Sequence, residues 1–205
     1  MDLRLSLLGE LCSDGTRCHA ATSPARLGQT THMDTIRPYH SQDFDVCMAL
    51  FDANVPAFFS AGERVDFAGF LIQHAAAWHY QLLERGNEIA GCAGYAINAD
   101  GITASLCWGM VHPSLHRRGV GTQLLLARLD ALRQMPHVRR VVLDTSQHTQ
   151  QFYARFGFVV HQVTVDGYAP GLERWDMTLD LQSCARSTSG VRSAPPPDCL
   201  PLREA

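Results

Sequence analysis

Lysine is absent from this chain of 205 residues, so all 17 basic residues are arginines. A nucleoside-triphosphate loop ending in Gly-Lys-Ser/Thr is therefore excluded, because its lysine is needed to contact the phosphates. Charge is also scarce: 18% of the residues are charged and the formal net charge is −3. A negative net charge argues against a general nucleic-acid-binding surface, and we expect no nucleic-acid partner.

Long apolar runs are missing as well. A membrane-spanning helix needs about 20 consecutive apolar residues, and every apolar run in this sequence is far shorter. The N-terminus begins like a signal peptide, but Glu10 interrupts it before a clear hydrophobic region has formed. We therefore expect a cytoplasmic protein with no membrane partner.

Metal-binding and redox patterns are not found either. The seven cysteines form no Cys-x-x-Cys pair. Cys47, Cys92 and Cys107 lie in apolar stretches and are interpreted as small core residues. His112 and His116 are separated by a proline, so they cannot share a helical face, and no third ligand is spaced to join them. No metal site is predicted.

Composition divides the chain into three parts. Residues 1–32 are rich in small polar residues without sustained periodicity, and residues 182–205 form a tail rich in serine and proline. Both segments are predicted to be disordered. Residues 33–181 have the length and apolar content of one domain with a full core.

Hydrophobic periodicity predicts seven strands and about four helices within this domain. The predicted strands are 34–38, 78–85, 88–97, 102–111, 138–143, 158–165 and 174–181. Predicted helices contain Phe44 to Phe51, follow a capping box at Ser60–Glu63, start at Val120 and end after Tyr153. The apolar face of the second helix is Phe67, Phe70, Leu71 and His74.

Turn and crossover signals give the strand directions. Gly86-Asn87 and Asp100-Gly101 predict hairpins, so the middle of the sheet is expected to be antiparallel. The helix from Val120 joins two strands as a crossover, and these strands are expected to be parallel. Arg128 falls between two apolar rows of this helix, and we expect its side chain to snorkel towards solvent.

The most informative stretch runs from residue 108 to residue 122 and is typical of a strand, a tight loop and a helix. Gly119 and Gly121 would let a phosphate approach the free amides at the helix N-terminus, where the macrodipole is positive. Arg117 and Arg118 add positive charge and bidentate donors. The segment therefore predicts a phosphate-binding loop.

Two motifs together suggest which phosphate ligand binds. A dinucleotide fingerprint would need a glycine where Leu124 stands. The sequence His-Arg-Arg-Gly-Val-Gly at 116–121 instead resembles the acetyl-CoA pyrophosphate loop of the GNAT superfamily of acyl-CoA N-acyltransferases, with His116 replacing the usual Gln or Arg. Phe-Tyr-Ala-Arg-Phe-Gly-Phe at 152–158 resembles the late helix of that family, which ends in Tyr-x-x-x-Gly-Phe. The resemblance covers residues 34–181.

The resemblance implies an α/β fold of the α+β kind. Its centre would be a mixed, mostly antiparallel sheet of about seven strands, with a parallel βαβ unit where the sheet splays and about four flanking helices. It also implies an N-acetyltransferase that moves an acetyl group from acetyl-CoA to a primary amine by direct attack. The alternative is a catalytically idle acyl-CoA-binding sensor or interaction module of the same fold.

The resemblance also implies site residues. Tyr153 matches the family tyrosine that protonates the leaving thiolate, a task for which a phenol is suited. Ser146 stands where many relatives have an asparagine, and it could instead cap the next helix. His116 is expected to bond a phosphate oxygen, depending on its protonation. The expected cofactor-binding residues are Met110, Val111, His116, Arg117, Arg118, Gly119, Val120, Gly121, Thr122 and Ser146.

The sequence does not single out one general base or one acceptor. The strand before the loop, 105–111, carries no carboxylate. The candidate bases are His112, Glu63, Asp66 and a water chain. Acceptor specificity is expected in segments 54–66 and 166–173, which combine aromatic residues with carboxylates: Phe58, Phe59, Tyr168, Glu63, Asp66, Asp166 and Glu173.

Such a pocket suits a small cationic amine, and we expect a small-molecule acceptor rather than a protein. The alternative that Phe58 and Phe59 are core residues and the acids are solvated stays open. The formation of a homodimer is also left open by the sequence.

Overall fold

A computed structural model describes residues 34–181 of the chain. The predictions for residues 1–32 and 182–205 lie outside the described residues. The elements are β1 (Asp34–Pro38), α1 (Phe44–Asn54), α2 (Glu63–Gln73), β2 (Gln81–Arg85), β3 (Glu88–Ile97), β4 (Thr103–Val111), α3 (Val120–Arg133), β5 (Arg140–Thr145), α4 (Gln150–Ala154), β6 (Val159–Ala169) and β7 (Leu172–Asp180).

The strands form one seven-stranded sheet in the order β1-β2-β3-β4-β5-β7-β6. β4 and β5 are parallel, and every other adjacent pair is antiparallel. The parallel pair is joined by α3, because strands that run in the same direction need a crossover connection. The predicted fold class is confirmed, with a mixed sheet that has its parallel pair near the centre.

Apolar side chains from the helices cover the sheet. α1 and α2 contribute Phe51 and Phe67, which are fully buried in a cluster with residues of β2 to β4. α3 contributes Leu125 and Leu129 to a second cluster with β4, β5 and β7. Burying one such side chain stabilises the fold by about 1.5–3 kcal/mol. The two helical layers therefore fix the sheet between them.

One local prediction is confirmed in part and two are corrected. Half of the predicted capping box forms, because Glu63 Oε2 accepts hydrogen bonds from the backbone N–H (2.7 Å) and the hydroxyl (2.9 Å) of Ser60. The other half does not form, since α2 begins at Glu63 after Gly62 and no side chain caps its first amides. His74, expected on the apolar face of α2, is exposed because it follows the last helical residue. The strand predicted to end at residue 165 continues further, because β6 extends to Ala169.

Cys47 and Cys92 are buried in the core as predicted, and Cys107 is half-buried. Within residues 34–181, no helix is both long and apolar enough to cross a membrane.

Candidate active site

The two central strands separate partway along their length. β4 and β5 are paired only over Thr103–Ser105 of β4. Beyond this point β4 follows β3 as far as Val111, while β5 follows β7 as far as Thr145. The gap opens into a cavity of about 860 Å³, which we call the V cavity.

A bulge in β4 lies beside the gap. Trp108 and Gly109 together oppose the single residue Ala93 of β3. Trp108 has a φ of 44°, in the left-handed region that few residues of its size adopt. A bulge bends its strand and increases the local twist, which turns the end of β4 away from β5. The indole packs against Phe67 with ring centroids 5.0 Å apart, so the core holds this conformation.

The N-terminus of α3 faces the V cavity with open amides. Gly119 precedes α3 in a left-handed conformation with φ 84°. Gln123 is the first residue of the helix whose N–H bonds back, to Gly119 O at 3.0 Å. Within residues 34–181 the amides of 119–122 have no hydrogen-bond partner, and we call them the amide cradle. The Arg118 amide already donates to Leu115 O at 3.3 Å, which leaves only its guanidinium for a ligand.

Positive side chains surround the amide cradle. Arg117 and Arg118 are both exposed. Arg117 lines the V cavity, together with Arg155 from the end of α4. The Arg155 guanidinium lies 5.6 Å from the centre of the Phe152 ring. Sequence reasoning missed Arg155, although it stands inside the Tyr-x-x-x-Gly-Phe motif.

His116 does not point its Nε2 at the cradle. This nitrogen lies 3.1 Å from Val111 O, so it carries the proton and donates to the carbonyl. Asn54 Nδ2 donates to the same oxygen at 3.1 Å. The ring also packs edge-on against Phe58, with centroids 5.2 Å apart. His116 therefore fastens the loop to the end of β4, and Nδ1 is its remaining atom for a ligand.

The backbone of β4 decides which amide faces the gap. His112 N donates to Ala90 O of β3 at 2.9 Å. Alternate residues of a strand present their backbone groups to opposite edges, so Met110 also faces β3 and Val111 faces the gap. Met110 and Val111, both expected to bind the cofactor, line the cavity, but only the backbone amide of Val111 faces the gap.

Tyr153 extends from α4 to the floor of the V cavity. Its ring packs edge-on against Phe152 and Phe158, at centroid distances of 5.0 and 5.7 Å. Its hydroxyl makes no hydrogen bond to the part of the chain that the structure describes. A Cβ built on Gly109 would lie 3.5 Å from this oxygen, so the hydroxyl faces the bulge of β4.

Ser146 lies on the wall of the V cavity and is 4% exposed. Its carbonyl accepts hydrogen bonds from the amides of Thr149 and Gln150, both at 3.1 Å. Its hydroxyl bonds to none of the described residues. The backbone of Ser146 therefore supports the start of α4, and its side chain is available to a ligand.

Aromatic rings and carboxylates also line the V cavity. Phe58, Phe59 and Glu63 line it from the α1–α2 side, and Tyr168 and Asp144 line it from β6 and β5. Tyr168 donates its hydroxyl to Asp144 Oδ2 at 2.5 Å. Burial, together with the Asp144 carboxylate, raises the pKa of Tyr168, so its phenol stays protonated.

The remaining acids proposed for acceptor binding are elsewhere. Asp66 is exposed on α2 and is not part of the cavity wall. Asp166 Oδ1 accepts the Gly171 amide at 2.6 Å, and Glu173 Oε2 accepts the Trp175 indole N–H at 2.8 Å. These two carboxylates stabilise the β6–β7 hairpin instead. Of the three candidate side-chain bases, only Glu63 lines the cavity.

Within residues 34–181 no three His, Cys, Asp or Glu side chains are grouped closely enough to hold a metal ion. Cys107 lines the V cavity as a neutral group, because burial raises the pKa of its thiol to about 12.

Residues 44–158 match the model of the Acetyltransferase (GNAT) family. The match is more than half of the chain and includes the amide cradle and Tyr153. The chain therefore belongs to the GNAT family of acetyltransferases.

Solved structures share this fold. An acetyltransferase of the GNAT family from Desulfovibrio desulfuricans matches with a TM-score of 0.62 and 23% identity, over 72% of this chain and 99% of that one. The ribosomal-protein-S18-alanine N-acetyltransferase from Escherichia coli matches with a TM-score of 0.61 and 19% identity, over 73% and 94%. YncA from Salmonella typhimurium, solved with its cofactor acetyl-CoA, matches with a TM-score of 0.59 and 16% identity, over 79% and 99%. At these identities the likeness shows the fold alone.

Proposed function

We propose that this protein is an N-acetyltransferase that moves the acetyl group of acetyl-CoA to a primary amine by direct attack. Acetyl-CoA is the cosubstrate. The observation that carries the proposal is the V cavity itself, because its lining includes both the open amides of the helix start and the Tyr153 phenol, which bonds to none of the described residues. A phosphate binder needs the first feature, and only a transferase needs the second.

The residues of the cavity fit the cosubstrate. The amide cradle, residues 119–122, holds the pyrophosphate, and Arg117 and Arg155 compensate its charge. The Val111 amide and the Ser146 hydroxyl orient the pantetheine arm along the open edge of β4. This placement brings the thioester to Tyr153 in a fixed geometry, which lowers the entropic part of the barrier.

Tyr153 acts as the general acid. The amine nitrogen attacks the thioester carbon, a C–N bond forms, and the C–S bond breaks with its electron pair passing to sulfur. An acceptor bound as an ammonium gives one proton to solvent before this attack, because only the free amine has an electron pair for the carbonyl carbon. Tyr153 then gives its proton to the sulfur and regains one from the nitrogen, so the transfer step itself consumes no net proton. A phenol with a usual pKa near 10 is a fair match to a thiol near 8.5.

The acceptor is a small cationic amine. Phe58, Phe59 and Tyr168 supply aromatic walls, and Glu63 and Asp144 supply carboxylates within the same cavity. The charge of Asp144 is partly offset by Arg174, whose Nη2 lies 3.7 Å from Asp144 Oδ1. Cation–π and ion-pair attraction favour an ammonium group in such surroundings. Asp144 replaces Asp66, Asp166 and Glu173 in this role, because those three acids do not line the cavity.

The test measures thiol release from acetyl-CoA against small cationic amines, neutral amines, acidic amino acids and a peptide with a free N-terminus. Calorimetry with acetyl-CoA alone measures binding separately. We expect binding without an acceptor, and thiol release that depends on a cationic amine. Binding with no release for any amine would instead establish the idle sensor or interaction module. Absence of binding would overturn both readings.

A further inference from the structure

Arg128, which the family motifs do not include, lies inside the protein rather than along its surface. Arg128 is 2% exposed, which corrects the expectation that its side chain reaches solvent. Nε donates to Leu124 O at 3.0 Å and one terminal nitrogen donates to Gly94 O at 3.3 Å. The guanidinium is part of the wall of the V cavity.

No carboxylate of residues 34–181 forms an ion pair with Arg128. The ionisable groups that face it are Cys92 of β3, Cys107 of β4 and Tyr153 of α4. Burial raises the pKa of both thiols, so neither supplies a negative charge. A buried cation without a counter-charge costs several kcal/mol, which makes a purely structural role unfavourable.

The space beside Gly109 is bounded by this cation and by Tyr153. A Cβ built on Gly109 would lie 3.8 Å from each terminal nitrogen of Arg128 and 3.5 Å from the Tyr153 oxygen. One atom in this space can therefore contact both side chains, and we call the space the anion seat. Arg128 is eight residues beyond the start of α3, which puts it about 12 Å along the helix from the amide cradle. The anion seat is thus separate from the pyrophosphate site.

We propose that the anion seat holds the coenzyme A thiolate as it leaves, with Arg128 as a further catalytic residue. This inference rests on the proposed acetyl transfer. As the C–S bond breaks, the electron pair passes to sulfur, and the Arg128 guanidinium stabilises the negative charge before Tyr153 donates its proton. Arg128, which has no carboxylate partner among residues 34–181, then receives its counter-ion from the reaction itself.

The test compares coenzyme A with desulfo-coenzyme A, which lacks the sulfur. Calorimetry of the full chain from about pH 6 to about pH 9 covers the usual titration range of a thiol. We expect the affinity for coenzyme A, relative to the desulfo compound, to rise at least ~10-fold with pH in the parent protein. Arg128→Met removes this rise, and Arg128→Lys, which keeps the charge, restores part of it.

Thermal melting separates catalysis from packing. Methionine fills much of the same volume without the buried charge, so Arg128→Met is expected to melt at or above the parent temperature. Gly109→Ala occupies the anion seat directly at ordinary contact distances. Gly109→Ala is expected to remove the pH-dependent preference for coenzyme A over desulfo-coenzyme A, while desulfo-coenzyme A still binds. This variant keeps the test decisive if Arg128→Met does not fold.

Failure of the two proposals can be told apart. If neither compound binds, the proposed acetyl transfer is wrong. If both bind and Arg128→Met or Gly109→Ala keeps the parental dependence on pH, acetyl transfer stands and the thiolate seat is refuted. A destabilised Arg128→Met with the parental dependence would show that the side chain is structural.

Discussion

At the scale of single residues, Tyr153 is the side chain whose replacement tests catalysis directly. Tyr153→Phe is expected to lower kcat roughly 100-fold, because one proton-transfer group is removed. The affinity for acetyl-CoA should change little, since the ring keeps its contacts with Phe152 and Phe158. Steady-state kinetics and calorimetry measure the two effects.

The matched control is Tyr39→Phe. Tyr39 is half-buried outside the V cavity, and its ring packs edge-on against Tyr80 at 6.1 Å. This variant should keep the parental kcat. Equal turnover of Tyr153→Phe and the parent, under conditions where chemistry limits the rate, would remove Tyr153 from the mechanism.

The acceptor site depends on two carboxylates, Glu63 and Asp144. Glu63→Gln and Asp144→Asn are each expected to raise the KM for a cationic amine by roughly 10-fold, because an ion pair in the cavity is lost. The KM for acetyl-CoA should stay the same. Asp166→Asn is the control, since Asp166 bonds to the Gly171 amide in the hairpin. A preference for acidic acceptors, or equal KM values in all three variants, would contradict the aromatic and acidic pocket.

Two residues of the site could not be found from the sequence. Asp144 was expected to follow the end of its strand, but β5 extends to Thr145 and carries it into the cavity. The Arg128 side chain was expected to reach solvent, because periodicity identifies the apolar face of a helix but not a cavity next to that face. The positions of both side chains depend on contacts between residues distant in sequence, such as Tyr168 with Asp144 and Arg128 with Gly94.

At the scale of elements, the amide cradle is a property of the start of α3. Gly119→Glu is expected to weaken acetyl-CoA binding at least ~10-fold, because a carboxylate at the helix N-terminus competes with the phosphates for its amides. Gly101→Glu is a close control. Both glycines have positive φ, 84° and 69°, and open space around the missing Cβ, so the backbone strain is similar.

Calorimetry gives the affinity of each variant, and thermal melting gives the shared cost of strain. Gly101 lies in the β3–β4 turn, away from the cavity wall. If both variants bind acetyl-CoA equally well, the cradle is not the pyrophosphate site.

The elements that the sequence predicts best are those with strong periodicity and clear turns. β1, α1, β3 and α3 were expected close to their observed positions, and the hairpin turns set their directions. The bulge at Trp108 and Gly109 was not expected, because nothing in 108–109 identifies a left-handed tryptophan. The separation of the two central strands was expected only from the family resemblance. It is confirmed, because β4 and β5 pair only over Thr103–Ser105 of β4.

At the scale of the whole molecule, ion pairs fasten the edge strand β1 to its surroundings. Arg37 donates to Asp43 at 2.7 and 2.8 Å and to Glu84 at 2.7 Å. The Asp43 side chain is 8% exposed. The Arg64–Asp52 pair between α1 and α2 is far more open, with side chains 53% and 47% exposed.

These two pairs should differ in their contribution to stability. Arg37→Met is expected to lower the free energy of unfolding at pH 7 by about 2 kcal/mol, because a buried carboxylate loses its charged donor. Arg64→Met should change it little, because solvent already screens that pair. Thermal or urea unfolding of the two variants measures the difference.

The difference in unfolding free energy between the parent and Arg37→Met should also depend on pH. The Arg37 guanidinium holds the pKa of Asp43 below its usual 3.8. A carboxyl whose pKa is lower in the folded state stabilises the fold above its unfolded pKa, and this contribution is lost as the pH falls through the folded value. The gap between the parent and Arg37→Met should therefore be full at pH 7 and should narrow below about pH 4. A gap that stays constant into acid would show that Arg37 stabilises β1 by packing rather than by charge.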